Sequence, residues 1–472
     1  MPSAQDRAQG RLPGPLLAFL ALMTSLVAMS IDAVLPALDA IDADVRFASP
    51  NDRQLVVTAV LAGLAVAQLV VGPLADAFGR RAVALGGLVL FALGTLIAGT
   101  ASDPTTLLAG RALQGLGAAG PRVMAVTILR DLYAGRPMAR ASSLVNTIFM
   151  LVPLLAPLLG LGIEMVGGWR GIFAVYGLMA GAIAVWYLAA MPETLAPADR
   201  RPLRLGPLTE AYGTVFANGQ ARVAIGVVAL VFAGFTAYLA SAQQIFEELY
   251  DLGANFVLVF GLLAIPFAAA SFINGRLVMR LGMRRLIGFG TWTLTLGAAV
   301  GVAAAVAWNG VPPLWATVAV LAVVFVAVSI VFANAVALAT EPLGRIAGTA
   351  TSVALSFGTL GAAALGTVIA RLYDDTVTPL FAGFALSGLA AAALHARLGP
   401  AQGAGQSAAQ SAGQGVGERV DPDAGERAGR VSGQGVGQGE DQHAGQHAGQ
   451  SAGQSAGQRT GQRTGQGAEP RP

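Results

Sequence analysis

The stretch Gly72-Pro73-Leu74-Ala75-Asp76-Ala77-Phe78-Gly79-Arg80-Arg81 lies between two long apolar runs and combines two glycines, one carboxylate and a pair of arginines. A weaker copy follows 203 residues later, as Gly275-Arg276-Leu277-Val278-Met279-Arg280-Leu281-Gly282-Met283-Arg284-Arg285. It keeps both glycines, the leucine and the arginine pair, the pair shifted by one, and it has Met279 where the first copy has Asp76. Self-similarity at a fixed offset marks a duplicated chain. Two like halves are therefore expected, with this loop at the same place in each.

The surroundings decide the solvent. Of the 472 residues 55% are hydrophobic and only 12% charged, against about 25% in soluble domains. Mean hydropathy is +0.64. That much apolar surface exceeds what one water-soluble core can enclose, so a lipid bilayer is the expected partner. There is no cysteine, which removes disulfides and thiolate metal sites. All the basic residues are arginine, and a net charge of +3 gives no ground for nucleic-acid binding.

A spanning helix needs roughly 20 mostly apolar residues. Twelve such runs are read, at 15–37, 54–75, 82–101, 105–128, 140–164, 170–190, 222–245, 254–276, 286–307, 314–339, 347–370 and 377–397. Assigning alternate loops to opposite sides leaves only Arg46, Arg53, Arg170 and Arg371 on the side away from the N-terminus, where Asp39, Asp42, Asp44, Asp52 and Asp103 gather instead. Arginine-rich loops stay in the cytoplasm, so both termini and the Gly72–Arg81 loop are expected there.

The organisation expected is an all-α integral membrane protein of two six-helix, pseudo-symmetric halves: a cytoplasmic N-terminus over 1–14, a first half over 15–190, a cytoplasmic linker over 191–221, a second half over 222–397 and a tail over 398–472. The linker holds Pro192, Pro197, Pro202 and Pro207. The tail repeats Ala-Gly-Gln with almost no aromatic or branched apolar residues, a composition expected to stay disordered. His443 and His447 within it read as solvated low-complexity residues rather than as a metal site.

Charges inside the apolar runs are the candidates for chemistry. Asp32 lies in the first run, and a carboxylate at mid-bilayer costs about 3 kcal/mol on insertion scales, so it normally faces a polar cavity or a partner, the alternative being a hydrated place near the interface. It reads as a proton-titrating or cation-binding group. In the fourth run Arg111 falls at a depth similar to Asp32, and a direct or water-bridged pair between them is one arrangement open to the chain. Arg122 follows eleven residues later, close to three full turns, so both arginines share a face with Gln114 adjoining. The fifth run carries Asn146 and two prolines, Pro153 and Pro157, where the helix is expected to bend. The second half offers polar and aromatic groups instead of charges: Tyr238, Gln243, Asn334, with Asn274 and several phenylalanines. Such walls suit an apolar or cationic solute. Gln243 and Gln244 stand near a span end, so an interfacial position is the alternative to a place in the cavity wall.

These residues resemble the major facilitator superfamily, and within it the Bcr/CflA group of bacterial drug:proton antiporters. Gly72, Leu74, Asp76, Gly79, Arg80 and Arg81 match the superfamily's loop signature. Arg111, Gln114, Gly115, Gly117, Ala118 and Ala119 match the signature in the fourth span. Asp32 with Leu35 and Pro36, the Pro153, Ala156, Pro157, Gly160 series, Trp169-Arg170 with Phe173, and Pro192-Glu193-Thr194 resemble the antiporter group. So do Asn334, Glu341-Pro342 and residues 347–352 in the second half. The chain departs at Val152, Ala156 and Leu161, which replace glycines of the general antiporter motif, and at Ala77, which is basic in the family.

The resemblance implies a proton-coupled exporter of small amphipathic compounds, working by alternating access as a monomer in a bacterial inner membrane, without cofactor or metal and powered by the proton gradient. Asp32 and Arg111 would couple proton and substrate. Gly72, Asp76, Gly79, Arg80 and Arg81 would gate the cytoplasmic side. Gln114, Arg122, Asn146, Tyr238, Gln243 and Asn334 would line the cavity. Export of a metabolite or sugar is the alternative reading, and a non-transporting receptor or scaffold a more distant one. Enzyme chemistry is not expected: no histidine precedes His395, and no phosphate-binding loop is present.

Overall fold

The computed structural model describes residues 13–398 apart from 134, 201, 202 and 204. The tail from residue 399 and most of the N-terminal segment lie outside that range, and several side chains within 135–154, Asn146 among them, lie outside the described set. The described chain is helical throughout: α1 Gly14–Asp32, α2 Leu38–Val45, α3 Leu55–Phe78, α4 Arg80–Gly99, α5 Pro104–Leu132, α6 Gly135–Ala190, α7 Leu205–Ala217, α8 Gly219–Gln243, α9 Phe256–Leu281, α10 Met283–Ala307, α11 Leu314–Thr340, α12 Ala347–Arg371 and α13 Thr378–Ala396.

Eleven helical stretches among the described residues are long and apolar enough to cross a bilayer. The twelfth crossing comes from α6. Its 56 residues would reach ~84 Å at 1.5 Å per residue, far beyond a ~30 Å hydrocarbon core. The helix breaks at Gly168, whose φ of 63° and ψ of −176° are non-helical, and the two arms cross separately. The helix runs on through Pro153 and Pro157.

The duplication is visible in the packing. In the first half α5 packs on α4, α3 and α1, and in the second half α11 packs on α10, α9 and α8. The halves meet along α3 with α12 and α6 with α9, again an equivalent pair of contacts. Close approach in the first half depends on glycine: a Cβ at Gly117 of α5 would collide with the backbone of Phe91 in α4. Small residues at such crossings allow the backbone contact that drives helix association in lipid.

Three expectations are corrected. Gly72 does not lie in a loop. It is the eighteenth residue of helix α3, and the connection to α4 is Gly79 alone, at φ 97°. Its counterpart Gly282, at φ 77°, joins α9 to α10 in the same way. Glycine is needed there because side chains disfavour positive φ. The first span is not one helix to residue 37: α1 ends at Asp32, a tight turn occupies Leu35–Ala37, and α2 continues. Pro36 has no N–H to offer the Asp32 carbonyl, which helps to end the helix there. Gln243 and Gln244 are not interfacial. They are 0% and 2% exposed. Gln243 ends α8, and a single π-helical turn over Gln244–Leu249 carries Gln244 into the seam between the halves.

That seam lies on the side away from Gly79 and Gly282, here called the far side. Asn51 donates to the carbonyls of Arg371 (3.1 Å) and Tyr373 (2.9 Å), and Gln244 donates to Asn51 (2.9 Å). Gln54 bonds Gln244, and Arg371 pairs with Asp52. Arg53, only 6% exposed, bridges Asp39 of its own half and Glu248 of the other.

Candidate functional site

Ending α1 at Asp32 opens the carbonyls of its last turn to donors from other helices. Two side chains reach them, Tyr176 sharing the Met29 carbonyl with the Ala33 N–H (3.0 Å). Arg111 Nη2 donates to the Ser30 carbonyl (2.6 Å), and the Tyr176 hydroxyl donates to the Met29 carbonyl (2.8 Å). Arg111 also donates from Nε to the Val56 carbonyl (2.9 Å) and from Nη1 to Gln114 Oε1 (2.5 Å). Gln114 in turn donates to Thr95 (2.8 Å). One fully buried guanidinium thus ties α1, α3 and α5 together, with its carbon 5.7 Å from the Phe173 ring centre. The negative end of the α1 dipole favours a cation at this point.

The depth match between Asp32 and Arg111 holds, because Arg111 bonds Ser30, two residues before Asp32. A direct ion pair does not form. Asp32 is 3% exposed, and no hydrogen-bond or ion-pair partner of its carboxylate is found among the described residues. It lies within electrostatic range of Tyr176 in its own half and of Tyr238 in the other.

Tyr238 belongs to an aromatic wall built by α8, α9 and α11. It stacks on Phe260 at 5.6 Å and meets Phe325 edge-on at 4.7 Å, while Phe235 stacks on Phe267 at 5.3 Å and Phe232 lies 4.8 Å from Phe332. Among the described residues no hydrogen-bond partner is found for two hydroxyls of this wall, those of Tyr238 and Thr236. An unpaired buried polar group costs about 1–3 kcal/mol, so it is normally kept for a ligand or water. Asn334 is different. It donates to Asn274 (2.6 Å) and to the Ile330 carbonyl (2.8 Å), so its amide joins α9 to α11. Arg122 is half-buried on α5, toward the loop side of Arg111.

The loop residues form a second cluster. Arg80 pairs with Asp76 at 2.5 Å and with Asp131 at 3.3 Å. Glu193 receives the backbone N–H groups of Arg80 (2.9 Å) and Arg81 (3.1 Å), capping the N-terminus of α4 from the linker. Thr194 donates to Asp131 at 2.8 Å. Partial burial lifts the Glu193 carboxyl, but the N–H groups of Leu195, Arg80, Arg81 and Thr194 outweigh it and hold it below the usual glutamate range. Glu193, Asp131 and the far-side residues Asn51, Arg53 and Gln54 were given no role by the sequence. Their partners lie far away along the chain, and no periodicity signals them.

The sequence profile of the Major Facilitator Superfamily matches residues 20–367. The chain belongs to the Major Facilitator Superfamily. Among superfamily relatives, multidrug resistance protein D of Escherichia coli is 31% identical over 364 residues, 76% of this chain and 89% of that protein. A bicyclomycin resistance protein homolog of Haemophilus influenzae is 27% identical over 378 residues, covering 76% and 90%. The crystal structure of a D-xylose-proton symporter superposes with a TM-score of 0.65 over 81% of this chain and 96% of that one, at 16% identity, a likeness of fold. Superfamily membership makes this a multi-pass membrane transporter of small molecules rather than an enzyme. Its two halves and twelve crossings are those of the superfamily.

Proposed function

We propose that the chain is a proton-coupled exporter of small amphipathic compounds, with Asp32 as the proton carrier. The observation that carries this reading is the pairing of a buried, unpartnered carboxylate in one half with an aromatic wall in the other. A cationic or amphipathic solute fills both needs, by charge at Asp32 and by ring contact at Tyr238 and Phe325. The printed names of the relatives, multidrug and bicyclomycin resistance proteins, point the same way.

The arginine bias puts the loop side and both termini in the cytoplasm of a bacterial inner membrane. The far-side seam then closes the periplasmic entrance, and the site faces inward. Substrate entering from the cytoplasm displaces the proton from an Asp32 carboxylate oxygen. The halves, 15–190 and 222–397, rock about their shared contacts while the linker 191–221 follows. On the periplasmic side a proton returns to Asp32 and the substrate leaves. One proton crossing 100 mV supplies about 2.3 kcal/mol, so the proton gradient is the energy source and no cofactor is required. Arg111 holds the α1 break that presents Asp32. Asp76 and Arg80 form the cytoplasmic latch, here held within one half. The working unit is a monomer.

The test is resistance to a drug panel in a host lacking its own exporters. Wild type should raise the inhibitory concentration of some cationic or amphipathic compounds, and Asp32→Asn should abolish that protection. Equal protection by Asp32→Asn for every responding compound would remove Asp32 from the mechanism.

A further inference from the structure

Away from the central site, an open cleft of about 570 Å³ lies on the loop side of the second half, between the first turns of α8 and α10 and the end of α13. Its volume falls in the ~300–1,000 Å³ range of small-ligand sites. Its charged lining consists of Arg222, Arg284 and Arg397, with no acidic side chain among the lining residues.

The three guanidiniums are positioned but not neutralised. Arg222 donates one Nη to the Phe216 carbonyl (2.7 Å). Arg284 donates to Gln220 Oε1 (2.6 Å) and to the Leu398 carbonyl (3.3 Å). Arg397 is exposed, and no hydrogen bond of its side chain is found among the described residues. None of the three forms an ion pair with a described carboxylate; the nearby Glu341 is held by Gln220 Nε2 (2.9 Å). Each guanidinium has five N–H donors, so most donors remain open. Three like charges around one cleft repel, and an anion reverses that cost.

The anion's chemistry can be narrowed. Planar guanidiniums suit the paired oxygens of phosphate. The N-termini of α8 and α10 add their dipoles. Val223 and Leu394 form an apolar part of the lining, and further along α10 Phe289 and Trp292 are exposed at 67% and 53%, as lipid-facing side chains are. We propose that this cleft binds a phosphate-bearing anion, gripped by Arg222, Arg284 and Arg397. A phospholipid headgroup of the loop-side leaflet would use the apolar lining as well as the arginines. A free phosphate would use the arginines alone.

Native mass spectrometry of the full-length protein in detergent, titrated with phosphatidylglycerol or phosphatidylcholine, tests the site. Wild type should hold phosphatidylglycerol in preference, and Arg222→Gln/Arg284→Gln/Arg397→Gln should bring its occupancy down to that of phosphatidylcholine. Arg397→Gln alone removes no internal hydrogen bond. It should leave the melting temperature unchanged and weaken phosphatidylglycerol binding about fivefold, the effect of one surface arginine near anionic lipid. Inorganic phosphate distinguishes the two sources. If millimolar phosphate displaces the lipid and raises the melting temperature of wild type but not of the triple variant, the ligand is free phosphate. If it does neither while the lipid preference depends on the arginines, the ligand is the headgroup. Unchanged phosphatidylglycerol occupancy in the triple variant, with no phosphate-dependent shift in wild type, overturns the proposal.

Discussion

Arg111 sits where three helices meet, and its guanidinium is held by neutral oxygens from Ser30, Val56 and Gln114. A lysine ammonium is a compact point charge and cannot span three such directions. Arg111→Lys should keep the protein in the membrane but lower transport at least tenfold in reconstituted vesicles; near-normal transport would mean that charge alone suffices. Asn334 and Asn274 are a buried amide pair, so Asn334→Leu strands its partner and should cost about 1–3 kcal/mol in denaturant unfolding. Asn274→Leu/Asn334→Leu should cost less than the sum of the single changes. Asp32 and Arg111 were legible because a charge in an apolar run stands out. The state of Asn334 was not, since whether an amide faces a cavity or another amide depends on a residue sixty positions away.

Among the elements, the junction of α3 and α4 shows what local sequence can specify. Gly79 at positive φ was readable from the glycine. Glu193, 113 residues away from the N–H of Arg80 that it caps, was noticed only as part of a resemblance. Its effect on stability has a definite sign. The folded-state value lies below that of an unfolded glutamate, about 4.3. The unfolded chain therefore binds more protons in acid, and the stabilisation is full above that pH and is lost as pH falls through the folded value. Melting temperatures followed downward from pH 7 should show wild type losing stability below about pH 4 more steeply than Glu193→Gln. Parallel curves would leave the cap without an electrostatic part. The linker joins the same region again through Tyr212, whose hydroxyl bonds the Leu69 carbonyl at 2.5 Å. Pro73, four residues on, has no N–H to occupy that carbonyl.

At the scale of the molecule, the twelve crossings and the two halves could be read from hydropathy and from one repeated loop, because the bilayer imposes length and the duplication imposes order. The far-side seam could not. Arg53 and Glu248 are 195 residues apart, and polar contacts between halves leave no periodic trace. Arg53→Gln should shift the population toward far-side opening by about tenfold, the effect of losing a charge-assisted bond of roughly 1.5 kcal/mol. The chain has no cysteine, so a spin-label pair introduced on the far-side ends of α3 and α12 reports that distance directly. An unchanged distance distribution would show that other contacts hold the seam.

The one-residue turn at Gly79 has a mechanical consequence. A flexible loop would let α3 and α4 move separately, but a single residue capped by Glu193 leaves little slack. Helix α3, 24 residues and ~36 Å long, has the Asn51–Gln54 contacts at one end and Gly79 at the other. Its packing on α12 makes it a lever, and its weak point at Pro73, where a helical bond is missing, is braced by the Tyr212 bond to the Leu69 carbonyl. Parting the far end swings the near end inward, dragging α4 with it. Simultaneous opening at both faces would require this rod to bend, so an open pore through the membrane is opposed by leverage.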